Sequence, residues 1–203
     1  MKKLILLCFM ATGLIARAQT GGYAIGDLAE DFSLRNVDSK MVSMADYKDA
    51  KGYIIVFHCN TCPYSNAYEG RINDLNQEFK AQGYPVIAIN PNDPEVQPGD
   101  SFEKMQARAK SKNYTFPYLT DPNHVVTKKF GATRTPHVFV LQKNAAGHVV
   151  QYIGAIDNDT ENIRSDKSLY VKNALNSLLS GSKPAVNTTK AVGCTIKWKK
   201  TQG

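Results

Sequence analysis

The sequence predicts an α/β fold: a mixed central sheet flanked by helices, preceded by an N-terminal β-hairpin. Three observations carry that expectation. YIIVF at 53–57 and PVIAIN at 85–90 are short continuous apolar runs, the pattern of strands covered on both faces. Between them Tyr64, Tyr68, Ile72, Leu75 and Phe79 recur at helical spacing, so strand, helix and strand make a right-handed parallel unit. HVFVLQ and VVQYIGAI, on either side of Lys143-Asn144-Ala145-Ala146-Gly147, read as an antiparallel hairpin.

The other elements follow in chain order. MKKLILLCFMATGLIARAQT reads as a secretory signal over residues 1–18: Lys2 and Lys3, an apolar stretch, then Ala16-Arg17-Ala18 as an A-x-A cleavage site. Its dozen or so apolar residues are too few to span a hydrocarbon core that needs about 20. We therefore expect cleavage, a mature chain from near Gln19, export to the periplasm or medium, and no stable membrane insertion afterwards. Cys8 would leave with the signal; Ile5-Leu6-Leu7 before it lack the small residue a lipid-attachment cysteine usually follows.

Residues 31–47 alternate around Asn36-Val37-Asp38-Ser39, a small hairpin. Pro63 suits the first turn of the helix that follows YIIVF. After a Pro-, Asn- and Asp-rich loop, Ser101 can cap FEKMQARAKSKN, and VVTKKFGA forms a short helix stopped at Gly131. SLYVKNALNSLLSG is a last amphipathic helix ending at Gly181. A single domain over residues 19–182 and a C-terminal tail over 183–203 result; 42% hydrophobic residues suffice for one core.

Net charge falls from +7 to +4 when Lys2, Lys3 and Arg17 are removed with the signal. So mild an excess, with no aromatic-interleaved basic stripe, gives no reason to expect a nucleic-acid partner.

Chemistry concentrates in HCNTCPY, residues 58–64. Cys59 falls just after a buried strand and at the beginning of a helix, where unpaired N–H groups and the helix dipole stabilise its thiolate. Two intervening residues let the second sulfur resolve a mixed disulfide formed at the first. The same spacing suits half a zinc site, which Cys194 with His58, His124 or His137 could complete. A structural bridge is disfavoured, because closing so short a loop removes little chain entropy.

On these residues the chain resembles the thioredoxin superfamily: strand-CxxC-helix at YIIVFHCNTCPY, Thr135-Pro136 opening HVFVLQ, and the element order. The resemblance implies a thioredoxin-like fold, a cis Pro136, and a partner groove shaped by Thr135 and Pro136. More closely, it is similar to the peroxiredoxin-like (AhpC/TSA-related) CxxC-containing branch, through the hairpin, CxxCPY, FPYLTD and the tail GCTIKWK. Against the peroxiredoxin motif P-x-x-x-T/S-x-x-C ending at Cys62, Ile55 stands for proline and Cys59 for threonine or serine; Arg134 lies two residues from where the peroxide-positioning arginine aligns.

The expected activity is thiol-disulfide exchange with protein thiols and disulfides, Cys59 attacking and Cys62 resolving. No organic cofactor is called for, since sulfur carries the electrons. His58, protonated, could stabilise a thiolate; the alternative is a surface histidine without a role. Tyr53 occupies the position where thioredoxin buries an aspartate, so no general base is nameable. Cys194 is either an auxiliary thiol or a small residue packed beside Trp198. Two further readings are a thiol peroxidase with Cys62 peroxidatic and Cys59 or Cys194 resolving, and a copper-binding assembly factor with His137 or His124 as third ligand.

Overall fold

A computed structural model of the protein describes residues 21–200. The expected signal peptide, with Cys8, lies outside them. The chain begins with β1 (Leu28–Ala29), the hairpin strands β2 (Ser33–Asn36) and β3 (Met41–Ser43), and β4 (Gly52–Phe57). Next come α1 (Pro63–Phe79), β5 (Val86–Asn90), α2 (Phe102–Ser111), β6 (Tyr118–Thr120) and α3 (Val125–Phe130). β7 (Arg134–Thr135), β8 (His137–Asn144), β9 (Gly147–Gly154), α4 (Tyr170–Leu179) and β10 (Cys194–Thr195) complete it.

Eight strands form one sheet in the order β1-β9-β8-β4-β5-β6-β2-β3. β4, β5 and β6 run parallel to one another, while β8 pairs antiparallel with β4 and with β9 and β2 antiparallel with β6, so the sheet is mixed as expected. β4 is buried along its whole length because its alternating side chains serve two cores. Ile54 and Val56 face one cluster with Tyr68, Ile72 and Phe79 of α1, Met105 of α2 and Val171 and Leu175 of α4. Tyr53, Ile55 and Phe57 face the other, with Phe130 of α3, Phe139 of β8 and Ile196 of the tail.

The capping signals act where they were read. The Ser101 hydroxyl accepts from Lys104 N–H at 3.4 Å, Pro63 is the first residue of α1, and Gly131 closes α3 in the left-handed region at φ 70°. The structure adds a strand that the sequence reading did not name: Tyr118–Thr120 pairs with both β5 and β2. The C-terminal tail exposes Lys199 and Lys200 yet is held against the domain: Asn187 and Thr189 bond Ile153, Cys194–Thr195 pairs antiparallel with β7, and Ile196 is buried. We call residues 187–199 the strap.

Candidate active site

The C-terminal end of β4 delivers Phe57, His58 and Cys59, held in line by His58 N–H donating to Ile89 of β5 at 2.9 Å. The next two residues are fixed from below by one carboxylate. Asp100 accepts from Asn60 N–H (2.6 Å) and Thr61 Oγ1 (2.7 Å), and from the side-chain amides of Asn92 (2.8 Å) and Asn90 (3.3 Å). Asn60 also donates to the Gly99 carbonyl at 3.0 Å and accepts from the Tyr118 hydroxyl at 3.0 Å. Asp100 is 3% exposed, and its four donors offset the cost of burying it. Sequence reasoning missed this residue, which it read only as part of a loop.

Above the cysteines lies the cis Thr135-Pro136 peptide, the geometry the resemblance implied. The Thr135 hydroxyl is 3.1 Å from Cys59 Sγ, and the Thr135 carbonyl is 2.9 Å from Cys62 Sγ. Thr135 and Pro136 thus sit directly on the dithiol. Cys59 is 1% and Cys62 2% exposed, so neither sulfur is open to a partner in this arrangement. A surface recess of about 460 Å³, lined by Tyr47, Lys51 and Gln82, lies beside the start of β4, away from the cysteines.

The two thiols are driven apart. Cys62 is lowered to about 4, chiefly because Cys59 S–H hydrogen-bonds its sulfur; burial opposes this, and the Cys194 thiol and the N–H groups of Ser65 and Cys194 add to it. Cys59 is raised by that same bond, then by burial and the Asp100 charge, against a small lowering from the Thr135 hydroxyl. The sequence expectation gave the attacking role to Cys59, whereas these directions favour the thiolate at Cys62. α1 opens at Pro63 with Cys62 at its N-cap position, and the Ser65 N–H of its first turn is one of the lesser groups that favour the Cys62 thiolate.

His58 is corrected as well. It lies neither on the surface nor charged: it is fully buried, and burial lowers it to about 4, outweighing the raising influence of Glu69. Its Nε2 is 2.9 Å from the Tyr114 hydroxyl, which donates to Glu69. That direction makes His58 the Nε2–H tautomer and leaves Nδ1 without a partner. Arg108 closes the network on Glu69, and the Arg108 and Tyr114 bonds hold Glu69 below its ordinary value despite burial. Tyr53 donates to the Met44 carbonyl at 2.5 Å, away from the cysteines.

The other candidate ligands do not converge on the pair. His124 Nε2 accepts from Lys199 N–H at 3.0 Å and packs on Trp198 at 4.9 Å, while His137 Nδ1 takes the Thr133 N–H at 3.4 Å. Among the described residues no three metal-ligating side chains are grouped. Cys194, which nothing local placed near the pair, does converge: it is half-buried, lies opposite Thr135 in the β7–β10 pairing, and its N–H points at Cys62 Sγ at 3.4 Å.

This geometry has relatives. The chain is 27% identical over 124 residues to the thiol-disulfide oxidoreductase ResA of Geobacillus thermodenitrificans, covering 60% of this chain and 65% of that protein. It therefore spans just under two thirds of that relative's length. An uncharacterized conserved protein from Geobacillus kaustophilus superposes with a TM-score of 0.80 at 31% identity, covering 88% of this chain and 94% of that one. The exposed lipoprotein thioredoxin Etrx1 of Streptococcus pneumoniae, at 20% identity, shares the fold with a TM-score of 0.53 over 66% of this chain and 95% of its own. The fold is thioredoxin-like. The AhpC/TSA family matches residues 25–152, a segment that holds Cys59, Cys62, Asp100 and the Thr135-Pro136 loop but stops short of the strap. By that match the chain belongs to the AhpC/TSA family.

Proposed function

We propose that the protein is an exported thiol-disulfide oxidoreductase working through Cys59 and Cys62. The observation that carries this reading is the placement of the pair: Cys59 and Cys62 lie between β4 and α1, each sulfur against Thr135 of the cis Thr135-Pro136 loop. The Cys62 thiolate attacks a disulfide sulfur, and the displaced sulfur leaves as a thiolate that takes a proton from solvent. Once Cys62 is in a mixed disulfide, the bond that raised Cys59 is gone, so Cys59 loses its proton, attacks Cys62 Sγ and closes the Cys59–Cys62 disulfide. Two electrons have passed to the partner. Relative to the sequence expectation the roles are exchanged, Cys62 initiating and Cys59 resolving. Protein thiols and disulfides are the substrates, and Thr135 and Pro136 border the sulfur that reacts.

The test is insulin reduction by the pre-reduced mature protein. Cys62→Ser is expected to lower the rate at least about a hundredfold, and the Cys59→Ser/Cys194→Ser double variant to accumulate a trapped mixed disulfide on Cys62. A Cys62→Ser variant at full rate removes the reading. Export rests on the N-terminal signal, and no helix among the described residues is long and apolar enough to cross a membrane. N-terminal sequencing of the protein recovered outside the cytoplasm is expected to begin near Gln19.

The low value of Cys62 also supports a second reading, the thiol peroxidase, because a thiolate is what attacks a peroxide. Against it, Cys59 replaces the hydroxyl that would hold the peroxide. The second-order rate of the reduced protein with hydrogen peroxide decides: a value no better than free cysteine dismisses it.

A further inference from the structure

The dithiol is sealed. Cys59 and Cys62 are 1% and 2% exposed, the Thr135 carbonyl and hydroxyl lie against their sulfurs, and the strap lies across the outside of that loop. The strap is built to stay there. Thr189 Oγ1 bonds the Tyr152 hydroxyl (2.6 Å) and Ala155 N–H (3.0 Å) on one side of the site. On the other, Lys197 N–H donates to Asn92 Oδ1 at 2.9 Å, the Lys197 carbonyl accepts from Asp93 N–H at 2.8 Å, and Ile196 is 4% exposed. Between these anchors Gly193 runs so close to β7 that a Cβ there would fall 2.1 Å from the Thr135 oxygen. The next residue is Cys194, whose N–H donates to Cys62 Sγ at 3.4 Å. It is the half-buried member of a row of three thiols whose other two are closed to solvent.

We propose that Cys194 is a third redox-active cysteine: it forms a disulfide with Cys62 and passes the pair's electrons to and from protein partners at the surface. This rests on the reading of Cys59 and Cys62 as the redox couple. In the oxidised protein the Cys194 thiol gives its proton to solvent and its thiolate attacks Cys62 Sγ. The Cys59–Cys62 bond breaks, Cys59 leaves as a thiolate and is protonated from solvent, and a Cys62–Cys194 disulfide stands in its place. A thiolate of a partner dithiol then attacks Cys194 Sγ, and Cys62 departs as a thiolate. The partner's second thiolate attacks the partner sulfur of the mixed disulfide, closing the partner's disulfide and freeing Cys194, which takes up a proton. Two electrons pass from partner to protein, and the steps reversed reduce a partner disulfide.

The local charges fit that order. In the reduced protein burial and the Cys62 sulfur raise Cys194 to about 11, so it rests as a thiol. When Cys62 is locked in a disulfide its charge is gone, while Lys197 and Arg134 still favour the Cys194 thiolate.

The experiment uses the mature full-length protein, oxidised with oxidised glutathione, quenched with iodoacetamide and mapped by mass spectrometry. Cys59→Ser is expected to carry a Cys62–Cys194 disulfide. Glutathione on Cys62 with alkylated Cys194 in that variant would overturn the proposal. Independently, Cys194→Ser is expected to slow insulin reduction at least about tenfold, and a wild-type rate would overturn it. If Cys62→Ser keeps full activity, the dithiol reading itself fails; if Cys62→Ser is dead while Cys194→Ser is unimpaired, only the relay fails.

Discussion

At the scale of single residues, the site is governed by which polar atom each sulfur meets. Cys62 is lowered chiefly by the Cys59 thiol, against burial, and further by the Cys194 thiol and the N–H groups of Ser65 and Cys194, so its alkylation follows the thiolate fraction. The iodoacetamide rate of Cys62, followed by mass spectrometry, is expected to stay level from neutral pH downward and to fall by half near pH 4. A midpoint at the ordinary thiol value would contradict that. Asp100 does a different job, gathering four donors under the Asn60-Thr61 turn. Asp100→Asn puts an amide donor against those donors, with an expected loss of about 1–3 kcal/mol in urea unfolding. It also removes a charge that raises Cys59, so Cys59 is expected to titrate lower in the variant.

At the scale of elements, legibility tracked locality. β4, β5 and α1 are long enough to write their own periodicity, and they position Cys59 and Cys62. His58 was read as either charged or exposed, although continuing the alternation of Ile54 and Val56 one step past β4 puts it on the buried face that meets Tyr114 and Tyr118. The two-residue strands β1, β7 and β10 have no pattern of their own; each is a strand only because a distant segment lies beside it. For the same reason Asp100 and Cys194 could not be tied to the dithiol by reading along the chain. The strap offers the sharpest test at this scale. Gly193→Ala drives a Cβ into the Thr135 carbonyl, an overpacking of about 1–3 kcal/mol. The open strap is then expected to be populated roughly five- to a hundredfold more, read as faster alkylation of Cys62 at neutral pH. An unchanged rate would show that the strap does not gate Cys62.

At the scale of the whole molecule, the buried histidines set the response to acid. His58 and His137 are each lowered from 6.5 to about 4 by burial, so below pH 6.5 the unfolded chain binds protons the folded one refuses. Their contribution is intact above pH 6.5 and is lost as pH falls towards 4. Unfolding free energy is expected to drop by about 2 kcal/mol or more between pH 7 and pH 5, measured by urea denaturation at both. The contact between Cys62 and Cys194 has a thermodynamic side as well. The two residues are 132 positions apart, whereas Cys59 and Cys62 are three. A bond across the longer span ties most of the domain into one loop, and chain entropy assigns it about 5 kcal/mol, against very little for the short one. Shuttling a disulfide from Cys59 to Cys194 would then do more than move electrons: it would fasten the end of the chain to its centre. Oxidised Cys59→Ser would melt well above its reduced form, and the state of the sulfurs would be readable as heat resistance.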